Sequence, residues 1–439
     1  MSAILRTSRQ RIRDAWQPSP RLELLLVFVL VTVVTLLFWV ILPADVLRNQ
    51  SADYTRFYEP VARNIANGRG ITLTGGGLAT EYPPGFPLIL AGVFRLSAML
   101  HVPEDLALSI FALLCFGAAA VFVFLLSRTI WGSHCGLVSA MAWATYPLVL
   151  SLTRQPVSEL PFLVLFYGGL WALWLTLKRG GRSLVWLFTV GLLMGLSMLV
   201  RPIAVAVSLV LAFAMYLQLR GSGFFKKLVP ISILLVGTLI AVAPWEAWVL
   251  LRTGRVITLS TNGVDSILDG LTFAVRSEEY GTDYRRDFRV SQDALAVMLS
   301  IRRHSSEIES LSDVASHLTS HVEGRPLAVA EILALKAIRS WYGTDSGRYE
   351  GWILGIQALY LPLLLWGCCR SIRAGGRARD LTVIVLMLLA YCWVMTTLVL
   401  SIVRYMVPIL GLLFVLLPAA APRSWRGTES VTVGSGPSS

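Results

Sequence analysis

Apolar residues in this chain come in long unbroken runs separated by short polar stretches. That is the pattern of helices apolar on every side rather than along one stripe. The first run, Leu22 to Leu42, has 21 residues, enough to cross the hydrocarbon core of a bilayer. Further runs cover Leu106 to Ser127, Gly136 to Leu152, Leu160 to Leu177, Leu184 to Val200, Ile203 to Leu219, Leu228 to Leu250, Gly351 to Cys369, Leu381 to Ile402 and Tyr405 to Leu417. One run, Phe86 to Leu100, has 15 residues and carries Arg95 near its middle. It is too short to span, and an arginine facing lipid at mid-depth is costly, so it is read as a helix lying at the interface.

The cationic residues turn this list into a topology. Arg6, Arg9, Arg11, Arg13 and Arg21 precede the first run, and positive residues stay cytoplasmic. With the run 86–100 kept out of the membrane, Arg128, the cluster Lys178, Arg179 and Arg182, the cluster Arg220, Lys226 and Lys227, and Arg370 to Arg379 all fall on that same side. Counting that run as a span would put two of these clusters outside. The expectation is therefore an all-α polytopic membrane protein of about ten transmembrane helices, with both termini inside. A basic cytoplasmic N-terminus covers 1–21 and a transmembrane module 22–250, including an outer loop at 43–105. An outer helical region at 251–350, C-terminal transmembrane helices at 351–420 and a Ser/Gly/Thr-rich, disordered cytoplasmic tail at 421–439 complete the chain.

Composition narrows the reading further. With 55% hydrophobic and 15% charged residues among 439, there is too little polar surface to cover a soluble globule of this size. The net charge of +12 sits in the short loops between apolar runs, so it reports topology and no nucleic-acid partner. The five cysteines form neither an exported disulfide framework nor a CxxC metal pair. In the region 251–350, Leu295, Met298, Leu299 and Ile301, then Leu327, Ala330, Ile332, Leu335 and Ile338, recur at helical spacing and predict amphipathic helices resting on the membrane bundle.

Chemistry gathers in the outer loops. Asp53, followed by Tyr54 and Tyr58, lies just past the first span, and Glu81-Tyr82-Pro83-Pro84-Gly85 closes the same loop. Glu159 opens the span after the third, and Arg201, Arg252 and Arg404, the last followed by Tyr405, stand at outer membrane boundaries. A carboxylate there can take a proton from a poor nucleophile such as a hydroxyl. Arginines at headgroup depth can meet a lipid-borne phosphate; the ordinary alternative for each is a snorkelling anchor. Glu159 could orient an acceptor or simply favour a helix N-terminus. His317 and His321, four apart, read as a solvated polar face.

Asp53-Tyr54, Tyr58, Ala62, Gly68 and Gly70, then Glu81 to Leu88, resemble the first outer loop of the GT-C glycosyltransferases. The nearest branch is the protein O-mannosyltransferase-like family 39 group, which includes bacterial aminoarabinose and galacturonic acid lipid A transferases. Arg154 to Glu159, Arg201-Pro202, Pro244-Trp245, Ser260 to Gly263 and Arg404-Tyr405 continue the match in order. The resemblance implies a GT-C-like bundle with interfacial helices in the first outer loop, at the inner (plasma) membrane. It implies inverting transfer of a sugar from a polyprenyl-phosphate carrier to a lipid, glycan or protein acceptor, on the periplasmic or extracytoplasmic side. It makes Asp53 the catalytic aspartate, with Glu81 and Glu159 as further catalytic acids. Tyr54, Tyr58, Tyr82, Arg201, Arg252, Arg404 and Tyr405 become substrate contacts, and Glu81 a ligand for a divalent metal. Where the aminoarabinose branch has lysine after the glutamate this chain has Tyr82, so one phosphate contact is missing. A transporter or flippase of envelope polysaccharide assembly is the competing class; it would want ionisable residues in mid-span, whereas here they gather at span ends.

Overall fold

The computed structural model describes residues 19–41, 53–181, 183–219, 223–275, 290–308, 310–345 and 347–422. The arginines before Ser19 and the tail from Arg423 lie outside them, so the expectations for both ends of the chain concern undescribed residues. Among the described residues the protein is helical, with one isolated bridge between Thr72 and Leu78 and no strand.

Seventeen helices are described. They are α1 (Pro20–Ile41), α2 (Glu59–Ala66), α3 (Gly85–Leu100), α4 (Glu104–Trp131), α5 (Ser133–Ala144), α6 (Pro147–Leu152), α7 (Glu159–Lys178), α8 (Leu184–Val200) and α9 (Val207–Gln218). There follow α10 (Phe224–Thr253), α11 (Gly263–Leu271), α12 (Gln292–Arg303), α13 (Leu311–Gly324), α14 (Pro326–Arg339), α15 (Glu350–Ala374), α16 (Gly376–Leu398) and α17 (Val403–Phe414). Six of them, α1, α4, α7, α10, α15 and α16, are long and apolar enough to cross a membrane; α3, α8, α9 with the turn before it, and α17 are shorter apolar helices.

Packing follows from sequence spacing. On α1, Val27, Val31 and Thr35 are buried at intervals of four, forming one stripe, while Leu25, Leu36 and Leu37 stay exposed as a lipid-facing surface requires. Glu23 at the start of α1 pairs with Arg128 at the end of α4 at 2.7 Å, which fixes these two helices antiparallel. The tightest seam joins α8 and α10. A Cβ on Gly191 would come within 2.0 Å of the Leu234 carbonyl oxygen, and one on Gly237 within 2.4 Å of that of Phe188. Only glycine lets two backbones approach so closely, which is how helices associate where burial of apolar surface gives no net drive.

Several continuous runs break at the end of the bundle that carries Asp53. The run 136–152 is two helices, because Pro147 forces Tyr146 into an extended conformation (ψ 118°) and starts a new helix. The run 203–219 opens as a 3₁₀ turn at Pro202–Ala204 before α9, and the run 381–402 stops at Leu398.

Helix α3 begins and ends at that same end. Gly85 lies against the Leu199 carbonyl, and beyond the helix Glu104 meets Arg63 of α2 at 2.8 Å. Arg95 explains the placement: its guanidinium donates to the carbonyls of Ala66 and Ile65 (3.0 and 3.2 Å) in the last turn of α2. The charge that looked expensive in lipid is spent capping a loop helix.

The region 263–339 has a small core of its own, built from Leu268, Phe273, Val297, Met298, Ile301 and Ile332 among others. Its last helix turns a different face inward from the one the apolar spacing predicts. Leu327, Ala330 and Ile338 of α14 are exposed, while Ala328, Val329, Ile332, Lys336 and Arg339 are buried. Lys336 donates from Nζ to the carbonyls of Leu398 and Val399, each at 3.1 Å, closing the C-terminus of α16. Burial pulls its ammonium down to a pKa of about 7. Arg339 pairs with Glu350 at 2.7 Å. These polar links decide which face of α14 turns inward.

The placement of α3 yields a topological prediction. In a cysteine-free background, single cysteines at Ser133 and Gly180 should resist a membrane-impermeant thiol reagent in intact cells, whereas one at Thr74 should react. Labelling at Ser133 and Gly180 from outside would invert the topology.

Candidate active site

Loops from every part of the chain meet in one cavity of about 860 Å³. Asp53, Arg56, Tyr58, Glu81 and Tyr82 come from the first loop, Ser158, Arg201, Arg404 and Tyr405 from helix ends, and Ser260, Asn262, Asp345 and Arg348 from the segments between α10 and α15. Ile203, Val205, Met395, Val399, Leu400 and Ile402 give the cavity an apolar wall.

Asp53 enters through an unusual turn. Tyr54–Tyr58 is π-helical, with the Glu59 N–H reaching back to the Tyr54 carbonyl, before the chain settles into α2. Such turns are rare, recur at functional sites and rotate side chains relative to the next helix. Here Tyr54 and Tyr58 point to different surroundings. Tyr54 is buried toward the charges of Glu59, Arg63 and Glu104 and is not part of the cavity lining, so the expected substrate contact falls away for it. Tyr58 lines the cavity, packed edge-on to Phe86 (5.0 Å between ring centroids) and tilted against Tyr82 (5.1 Å). Burial first, and then the Asp53 charge, push the phenols of Tyr58 and Tyr82 well above their ordinary pKa, so both remain protonated donors. Tyr82 donates from its hydroxyl to Asp53 Oδ1 at 3.1 Å.

Glu159 is not exposed to substrate. Its carboxylate is completely buried and held by two arginines: Arg201 Nη1 at 2.7 Å from Oε1, and Arg404, which reaches both oxygens, Nη2 lying 2.9 Å from Oε2. Arg201 also donates to Ser158 Oγ at 3.0 Å and lies over the Tyr405 ring at 5.1 Å. A carboxylate so engaged cannot act as acid or base; its position makes it the group that fixes two cations at the cavity wall. The trio carries one surplus positive charge, and Arg404 is the more exposed of the two arginines.

Arg252 is not brought to the site. It is exposed in the last turn of α10, off the cavity lining. Glu81 lines the cavity but lies 3.4 Å from Arg56, and its carbonyl accepts from Ser260 Oγ at 2.6 Å. Among the described residues no three His, Cys, Asp or Glu side chains are grouped to hold a metal. Glu81, engaged by a guanidinium and grouped with no two further ligands, does not fit a divalent-metal site. His317 and His321 meet edge-on (4.9 Å between ring centroids), with His304 5.5 Å from His317. Both have an Nε2 buried without a partner, so they form a packed cluster rather than the solvated face expected.

Two further participants are not among the predicted site residues. Asn262 donates from Nδ2 to the Tyr82 hydroxyl at 2.6 Å, and Leu259 sits in the left-handed region (φ 62°) three residues earlier. A branched residue there is strained. Its backbone is held from α10, with its N–H donating to Glu246 Oε1 (2.8 Å) and its carbonyl accepting from Trp245 Nε1 (3.0 Å).

Residues 81–248 match the family model of dolichyl-phosphate-mannose-protein mannosyltransferases. Three solved structures share the fold. ArnT from Cupriavidus metallidurans, crystallised with undecaprenyl phosphate, superposes with a TM-score of 0.53 at 15% identity, covering 90% of this chain and 61% of its own. The apo oligosaccharyltransferase of Archaeoglobus fulgidus gives 0.54 at 13% identity, over 90% of this chain and 50% of its own. AglB from the same organism, in complex with an inhibitory peptide and a dolichol-phosphate, gives 0.52 at 12% identity over the same shares. This chain thus spans half to about three fifths of these structures' length. No curated protein sequence matches it significantly. The match over residues 81–248 and the shared fold support the resemblance to the GT-C glycosyltransferases.

Proposed function

We propose that the protein is an inverting glycosyltransferase that takes a sugar from a polyprenyl-phosphate carrier on the non-cytoplasmic face of the membrane. The observation that carries this reading is the meeting of three surfaces in one cavity. A carboxylate (Asp53), a pair of arginines held on a buried acid (Arg201 and Arg404) and an apolar wall suit a base, a phosphate and a lipid stem respectively. Two solved structures of this fold hold undecaprenyl phosphate and a dolichol-phosphate, which supports the same donor class.

The chemistry follows from that arrangement. The acceptor hydroxyl is a weak nucleophile, and Asp53 takes its proton as the new bond to the anomeric carbon forms. The bond from that carbon to the phosphate oxygen breaks on the opposite face, which inverts the configuration. The electron pair leaves with the lipid phosphate, whose growing charge meets the guanidiniums of Arg201 and Arg404 in a cavity partly closed to water. Glu159 serves this step at one remove, because it holds both guanidiniums in place.

Three outcomes test the reading. Asp53→Asn keeps shape and removes the base; in proteoliposomes given a polyprenyl-phosphate sugar its turnover should fall by about 10² to 10⁴, with the protein still inserted. Wild-type turnover in that variant would rule out Asp53 as the base. Arg404→Lys keeps the charge but replaces a planar fork with a point charge. It should raise the KM for the lipid donor more than it lowers kcat, and transfer from a nucleotide sugar without any lipid carrier would exclude the donor class altogether. Glu159→Gln leaves two arginines facing one another without their anion. Breaking a buried pair costs about 3 to 5 kcal/mol, so thermal unfolding in detergent should move down by several degrees. An unchanged melting temperature together with lost turnover would instead return Glu159 to the chemistry.

A further inference from the structure

Tyr82 and Asn262 are joined to Asp53 in a chain that can run in only one direction. Asn262 Nδ2 donates to the Tyr82 oxygen at 2.6 Å, so the single hydroxyl proton of Tyr82 is left to point at Asp53 Oδ1, 3.1 Å away. Were the amide turned over, Tyr82 would have to give that proton to Asn262 and Asp53 would lose its donor. No other hydrogen bond reaches the Asp53 carboxylate among the described residues, which leaves Oδ2 for the acceptor.

Every member of the chain is held from behind. The Tyr82 ring lies between Phe57 and Tyr58, each 5.1 Å away. The segment bearing Asn262 is tied to the loop bearing Tyr82 by Thr261 N–H to the Thr80 carbonyl (3.1 Å), Asn262 N–H to the Glu81 carbonyl (3.4 Å) and Ser260 Oγ to that same carbonyl (2.6 Å). The strained Leu259, gripped by Trp245 and Glu246, sets the direction in which this segment leaves α10. Strain maintained by two separate hydrogen bonds is a device that aims the residues next in the chain. By contrast, Asp53 itself comes from a π-helical turn and accepts no bond from its own helix N-terminus.

We propose that Asn262 and Tyr82 are positioning residues: a two-member bracket that holds the Asp53 carboxylate with Oδ1 occupied and Oδ2 turned to the acceptor. This rests on the reading of Asp53 as the base. It assigns function to a tyrosine hydroxyl and an amide that touch neither the donor phosphate nor the reacting carbon. Arg56, Tyr58, Glu81, Arg201, Arg404 and Tyr405 line the same cavity and are unaltered in the test variants.

The test uses the full chain in detergent and reads the carboxyl group directly. The Asp53 carboxylic band is identified by infrared difference between the wild type and Asp53→Asn, and its protonation midpoint is followed with pH. Tyr82→Phe, which removes one oxygen and keeps the ring, should move that midpoint upward, because the carboxylate loses its donor. With a radiolabelled polyprenyl-phosphate hexose in proteoliposomes, the same variant should lower kcat by about tenfold with KM for the donor nearly unchanged, and move the acid limb of the pH profile upward. Asn262→Ala should do the same more weakly, and should add nothing in the Tyr82→Phe background. An unmoved midpoint in Tyr82→Phe, or effects of the two substitutions that multiply, would overturn the bracket while an inactive Asp53→Asn keeps the base. Full turnover by Asp53→Asn would remove both.

Discussion

A fully buried carboxylate shared by two arginines is the interaction on which the cavity depends. An isolated charge in this setting would be costly enough to be neutralised or expelled. Glu159 avoids that because α7, the turn after α8 and the start of α17 converge on it. The same convergence brings three distant parts of the chain to one wall, and it leaves one positive charge over. A fold that needs the acid paired thereby presents a cationic surface. Stability and anion affinity are here two results of one arrangement.

The rest of the architecture positions partners around that point. Close glycine contacts bring α8 against α10, which sets where Arg201 emerges and where the segment after Thr253 begins. The short α3 runs beside α2 and α4, and Asp53 and Glu81, from opposite ends of the loop before it, line the same cavity. Lys336 joins the helices between residues 263 and 339 to the last turn of α16, whose next residues line the cavity. The helical region beyond α10 is thus part of the site's frame.

Much of this was legible in the sequence because a membrane simplifies the rules. Apolar runs had to be helices, and Asp53, Glu81, Arg201 and Arg404 stood out because charges are rare and sit at span ends. The features that escaped depend on rotation or on distant partners. Arg252 also stands at a helix end, but one residue turns a helix by about 100°, and nothing local tells lipid from cavity. Glu159 looked like a candidate acid because its second arginine lies 245 residues away. The inward face of α14 was misjudged since apolar spacing gives no weight to Lys336 and Arg339, whose partners are carbonyls and an acid on other elements. Asn262 was legible only as part of the stretch Ser260 to Gly263, because its partner Tyr82 lies 180 residues away, and Leu259 left no pattern because its role comes from a backbone angle that no composition rule records.

The order in which the chain is made gives the Glu159 arrangement a temporal side. During synthesis Glu159 and Arg201 emerge close together and can neutralise one another as a pair as soon as α8 is in place. Arg404 arrives only with α17, about two hundred residues after Arg201. Until then the wall carries no net charge, and afterwards it carries one. The capacity to attract an anion therefore appears only once α17 is in place. Before that, the wall there is neutral toward the phosphate headgroups around it.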